Sequence, residues 1–188
     1  KKSLQTWKKE ADDGDAKAAL WAALVYERKL VPDSSPEKSV PYLLQAAESG
    51  NLTAQGLLAF KYRDGLGVPQ DAAKAVEWFE KAASRKDLGA VMELGIMFRD
   101  GKYLPPDREK AFHWFEKGAE WKDPYSMAAL ADMLLEGTPS AEQAARALAL
   151  YREAAAVGYF PAALKAAELL QNGKGGELDA DEAYRLLR

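Results

Sequence analysis

The sequence predicts an all-α solenoid of about five helix-turn-helix repeats, and three observations carry that expectation. Small residues recur with a period of 36, each period divides into two helical stretches, and no strand pattern appears anywhere. Ala18, Ala54, Ala90, Ser126 and Ala162 form one column at that spacing. Gly65, Gly101, Gly137 and Gly173 form a second, and Ser39, Ala75, Ala111, Ala147 and Ala183 a third. A column of larger residues runs Tyr42, Trp78, Trp114, Leu150 and Leu186. A helix pair of this length cannot bury both apolar faces alone, so neighbouring units must stack.

Taken in order, residues 1–14 align with the second helix of a preceding unit, because Trp7, Ala11 and Gly14 stand 36 before Leu43, Ala47 and Gly50. Repeats follow near 15–50, 51–86, 87–122, 123–158 and 159–188, and the whole chain 1–188 reads as a single repeat domain. The third shows the grammar most clearly. Ala90, Leu94 and Phe98 share one helix face. Gly101 ends that helix, Pro105 and Pro106 carry a loop, and Asp107 stands where the next helix needs an N-cap. Ala111, Trp114, Phe115 and Ala119 then return to helical spacing. The second repeat matches with Gly65, Pro69, Asp71, Ala75, Trp78 and Ala82. The stretch from Asp179 to Arg188 reads as a second helix cut short.

The run Gly65-Leu66-Gly67-Val68-Pro69-Gln70-Asp71, followed by Lys74-Ala75, Trp78-Phe79 and Lys81-Ala82-Ala83, resembles the Sel1-like repeat, a relative of the tetratricopeptide repeat. Leu94-Gly95 with Phe98 resembles its first-helix signature. The first unit departs from the pattern with Lys29 for the glycine and Ser35 for the aspartate, and the fourth with Gln143 for the aspartate after a Thr138-Pro139-Ser140 loop. The resemblance implies a right-handed superhelix whose first helices line a concave groove. It also implies a non-catalytic adaptor or inhibitor that binds another protein, with bacterial immunity proteins that block secreted enzymes such as phospholipases among similar chains.

Composition narrows the function classes. The 188 residues are 48% hydrophobic and 29% charged, as in a folded chain, with net charge −3 and no basic stripe for nucleic acid. No apolar run approaches the roughly 18 residues of a membrane span. The chain opens on Lys1 without methionine or targeting segment, as a chain trimmed of a leader would, and a bacterial periplasm or envelope location is expected ahead of the cytoplasm. Zero cysteines remove disulfides and thiolate sites, and a lone His113 cannot form a histidine pair, so no metal, cofactor or enzyme activity is expected. The carboxylate pairs Glu77–Glu80 and Glu109–Glu116 read as solvated helix faces beside Lys81 and Lys110. Gly173-Lys174-Gly175-Gly176 lacks the strand and spacing of a phosphate-binding loop.

The repeat columns also nominate a partner-binding face. With Leu94 and Phe98 turned to packing, Met92, Ile96 and Arg99 are expected to line the groove. Their counterparts include Leu20, Leu24, Phe60, Arg63, Asp132, Leu135 and Glu168. One column, Leu24, Phe60, Ile96, Asp132 and Glu168, runs from apolar to acidic. An exposed apolar stripe flanked by arginine has the composition of a protein-binding site, whereas buried side chains would make it core. The expected partner is another protein, such as a secreted effector or envelope protein. Exposed tryptophans such as Trp7 or Trp121 would instead suit a cell-wall or glycan-associated factor.

Overall fold

The computed structural model describes residues 3–173; the expected helix from Asp179 to Arg188 lies outside them. Among the described residues every regular element is helical. The order is α1 (Leu4–Asp12), α2 (Ala16–Glu27), α3 (Pro36–Glu48), α4 (Leu52–Asp64), α5 (Ala72–Ala83), α6 (Leu88–Asp100), α7 (Arg108–Glu120), α8 (Pro124–Leu134), α9 (Ala141–Ala156) and α10 (Phe160–Gln171). These helices build an all-α repeat solenoid. They fall into two compact units, residues 3–90 with 102–105 and residues 91–101 with 106–173.

In the first unit α1 packs on α2, α2 on α3, α3 on α4 and α4 on α5. Its floor is alanine: Ala18, Ala46, Ala54, Ala82 and Ala90 are at most 3% exposed. Leu43, Leu58 and Phe79 fill the space between them. Asp15, Asn51 and Asp71 cap α2, α4 and α5 by accepting backbone amides of the first turn. The amide of Lys74 holds the Asp71 carboxyl below its usual range. That cap is therefore complete above the ordinary aspartate pKa and is lost as the pH falls through the lowered one. Gly65 ends α4 at φ 72°, and Lys29 adopts the same left-handed geometry at φ 51° after α2. The missing glycine thus changes the local strain but not the turn. Gly67 is fixed by space: a Cβ there would stand 2.5 Å from the Pro36 carbonyl carbon.

In the second unit α7 packs on α8, α8 on α9 and α9 on α10, around Leu94, Met97, Phe115, Met127, Leu130, Met133 and Tyr151. Asp107 caps α7 through the Lys110 amide at 3.0 Å. Gln143 turns out not to mark a lost cap. Ser140 caps α9 instead, in a capping box with Gln143: Ser140 Oγ accepts the Gln143 amide at 3.2 Å and Gln143 Oε1 accepts the Ser140 amide at 2.8 Å. The helix therefore begins three residues before the periodic position, while α8 ends two residues before its own, so the loop between them is only one residue shorter than those before α5 and α7.

One helix approach is tighter than the alanine columns imply. Gly118 of α7 stands in the column of Ala46 and Ala82, and Ser126 of α8 in that of Ala54 and Ala90. A Cβ on Gly118 would lie 2.2 Å from Ser126 Oγ and 2.5 Å from its Cβ. The pair exchanges a methyl on one helix for a hydroxyl on the other. Gly118→Ala should lower stability by about 1–2 kcal/mol, overlap outweighing the helix-propensity gain of alanine. Ser126→Ala in the same chain should return part of that loss, the rest needing the helices to separate. Urea melts of both single variants and the double variant measure the coupling, and simple additivity would show that the two sites do not share the space.

Candidate protein-binding surface

Every nominated face residue is at least partly accessible. Leu20, Leu24, Phe60, Arg63, Met92, Ile96, Arg99, Asp132 and Leu135 are half-buried and Glu168 is exposed, while Leu94 and Phe98 lie in the core. These positions are thus neither core nor a freely exposed stripe.

In the first unit α2 carries Leu20 and Leu24 and α4 carries Phe60 and Arg63. The Phe60 ring meets Phe79 of α5 edge-on, with centroids 5.1 Å apart at 85°. The Arg63 guanidinium lies 4.8 Å from the Phe60 centroid and 5.2 Å from that of Tyr103. Its Nε and Nη2 also donate to the two Asp64 oxygens at 2.9 and 2.8 Å. The Tyr103 hydroxyl donates to Asp64 Oδ1 at 3.1 Å. The Arg63 hydrogen bonds, helped by Tyr103, hold the Asp64 carboxyl below its usual range. Each of these contacts favours the placed Arg63 rotamer, which lowers the ordering cost of a contact made to it. Beside Leu20, the exposed Trp21 stacks on the half-buried Trp7 at 6.0 Å and 23°.

Beneath this face lies a buried charge that periodicity did not flag. Lys61 occupies the column of Val25, Met97, Met133 and Leu169, yet it is a lysine only 4% exposed. Its ammonium is bonded to Glu27 Oε1 at 2.7 Å and to the Leu66 carbonyl at 3.2 Å. The Ser39 hydroxyl lies against the same Glu27 carboxylate.

In the second unit α6 carries Met92, Ile96 and Arg99, α8 carries Asp132 and Leu135, and α10 carries Glu168. Arg99 Nε donates to Asp100 at 2.6 Å, and its guanidinium sits 5.6 Å from the Phe115 ring. Tyr125 stands between Phe115 at 6.3 Å and Tyr159 at 6.4 Å. Asp132 Oδ1 accepts from both the Tyr151 hydroxyl and the Lys165 ammonium. Burial first, and the Asp132 hydrogen bond second, push the Tyr151 phenol far above its usual range.

Tyr103, Tyr125, Tyr151, Tyr159 and Lys165 were missed by the column argument. Signals pointed to two of them. Tyr159 breaks a column of capping residues, Asp15, Asn51, Asp87 and Asp123, and no side chain caps α10 there. Tyr151 follows Asp132 by the same 19 residues that separate Phe79 from Phe60, so the two columns face each other.

The other singled-out residues make no site. His113 is exposed beside Trp114, and Trp121 is half-buried with Lys117 5.8 Å from its ring. Trp78 and Trp114 are core, covered by Lys81 and Lys117. Lys81 thus lies over an indole, and Lys110 pairs with Asp107 rather than with a neighbouring glutamate. Among the described residues no group of three or more acidic or histidine side chains could hold a metal ion. No described helix is long and apolar enough to cross a membrane.

Stacked helix pairs with a half-buried apolar and arginine face define a repeat scaffold of the kind that binds other proteins. The chain belongs to the Sel1 repeat family: the Sel1 repeat description matches residues 17–51, 53–87, 89–120, 124–159 and 161–188. Members of this family are generally non-catalytic protein-interaction modules. The crystal structure of a Sel1 repeat protein from Oxalobacter formigenes is 26% identical, with a TM-score of 0.81 over 93% of this chain and 72% of that one. That of c5321, a protective antigen of uropathogenic Escherichia coli with an SLR fold, is 24% identical, with a TM-score of 0.62 over 99% of this chain and 48% of that one. The chain thus spans about half of the Escherichia coli protein. No curated protein matches it in sequence.

The buried pair gives a test of the face's support. Glu27→Leu alone should destabilise the chain by about 3 kcal/mol, because it strands the Lys61 ammonium. Glu27→Leu with Lys61→Met, which restores the apolar column, should be neutral or stabilising. Chemical denaturation of the three chains checks this, and equal losses in the single and double variants would contradict it.

Proposed function

We propose that this chain binds a partner protein through the exposed faces of its first helices, acting as an adaptor or inhibitor without catalysis of its own. The observation that carries the reading is the half-buried state of Leu24, Phe60 and Ile96. Large apolar side chains left partly open on a helix face, with Arg63 and Arg99 beside them, match the composition of interaction hot spots. Arg63 supports it further, being bonded to Asp64 and set beside two rings. The inhibitor form of this reading is a bacterial immunity protein that occludes a secreted enzyme. A glycan-associated role is favoured by one observation, the stacked Trp7–Trp21 pair with Trp21 43% exposed, since an open indole face can stack on a sugar ring.

The test is retention of a partner from soluble and envelope extracts of the native host. Phe60→Asp with Ile96→Asp should reduce retention by more than about tenfold, the expected loss when hot-spot residues are removed, with the helical circular dichroism unchanged. A folded variant that retains the same protein would show that these faces are not the site. An unfolded variant would assign the two side chains to the core. Titration with cell-wall oligosaccharide, read by tryptophan fluorescence, separates the glycan reading: an unchanged spectrum excludes stacking on Trp21.

A further inference from the structure

Resting on the reading of the chain as a protein-binding module, a feature of the second unit specifies the chemistry of its partner. Between the end of α8, the loop to α9 and the helix α10 lies a cleft of about 890 Å³. That volume is in the range of sites that enclose a ligand's side chains. The early start of α9 forms one wall of the cleft. Ala141 of the added turn, with Ala144 and Ala145 just beyond it, gives that wall short side chains. Leu135 and Pro139 complete apolar walls.

The polar side of the cleft is built rather than incidental. Where the second repeat pairs Phe60 with Phe79 edge-on, the fourth has Asp132 and Tyr151 at the equivalent positions. The Tyr151 side chain is buried, and its hydroxyl is spent on Asp132. A second hydrogen bond, from Lys165, falls on the same Oδ1, so Oδ2 is open to a further donor. Glu168 also lines the cleft, is exposed, and forms no hydrogen bond or ion pair among the described residues. Lys165 balances one of the two carboxylates, which leaves one negative charge in excess among the described lining residues.

We infer that this cleft receives a cationic side chain of the partner protein, arginine ahead of lysine, with an apolar neighbour against its walls. The methylene stem of such a residue packs on Leu135, Pro139 and Leu169 while its head reaches Glu168 and Asp132. Arginine is favoured because its planar fork can donate to two carboxylates at once, which an ammonium cannot do with the same geometry. An anionic side chain would face the uncompensated Glu168, and a purely apolar one would cover both carboxylates without pairing them.

The experiment is a titration of the isotope-labelled full chain with acetyl-Leu-Arg-Leu-amide, followed by amide chemical shifts. Two control peptides carry citrulline, which keeps the shape without the charge, or glutamate in place of arginine. Saturable shifts should centre on Ala144, Ala145, Lys165 and Glu168, with affinity falling about tenfold for citrulline and binding lost for glutamate. Glu168→Gln, an exposed substitution, should weaken the arginine peptide by about tenfold and leave the circular dichroism unchanged. No saturable shift up to about 10 mM peptide would overturn the proposal. So would equal binding of the glutamate peptide, shifts confined to other residues, or an unchanged affinity in the Glu168→Gln chain. Phe60→Asp with Ile96→Asp should leave the peptide titration intact, so failure of the helix-face reading and failure of the cleft are separately visible.

Discussion

Close approach of helices at small, buried side chains is the constraint on which the rest depends. Ala18, Ala54, Ser126 and Ala162 are almost completely inaccessible, and each stands where a helix of one pair meets its neighbour. A larger side chain there would push the helices apart and open the layers of Leu43, Phe79, Phe115 and Tyr151 that fill between them. Gly118 and Ser126 show how finely the spacing is set: the atom removed from one helix is restored on the other. Capping completes the frame, because short connections hold each pair at an angle only if the first-turn amides have acceptors. Asp15, Asn51, Asp71, Asp107 and Ser140 supply them.

A frame built this way leaves the surface free to vary. The position 60 column passes from leucine and phenylalanine to aspartate and glutamate without disturbing the alanine floor, because these side chains stand half out of the packing. In the first unit the same freedom is used to place an arginine between two aromatic rings and a carboxylate. In the second it replaces an aromatic pair by a tyrosine–aspartate hydrogen bond. Members of the Sel1 family share the frame and bind other proteins. What distinguishes one chain from another is therefore the chemistry on these outward positions.

Lys61 is the exception to the division between frame and surface. It puts a charge into an apolar column and needs Glu27, the Leu66 carbonyl and the neighbouring Ser39–Glu27 contact to offset the loss of hydration. Such a network gives little net stability over an apolar residue. It does fix the loop after α4 and the start of α3 to one another, with Gly67 pressed on Pro36.

The sequence by itself determined the helix pairs, their period and the core, because burial at a fixed spacing forces small residues into columns that a single chain displays. It also set ten residues on a common side of their helices, since residues offset from a core face by a known angle share the next face. Only the tertiary structure decided how far they are exposed: Ile96 and Leu94 have similar hydropathy, and only their neighbours separate a half-open position from a closed one. It alone revealed that Ser140 takes over the cap, that Tyr151 serves Asp132, and that Lys61 lies buried. The last two depend on residues distant in sequence meeting in space, and the first on a helix that starts three residues ahead of the period. A column shows Lys61 as a charge in an apolar row, but not that the charge is buried and paired.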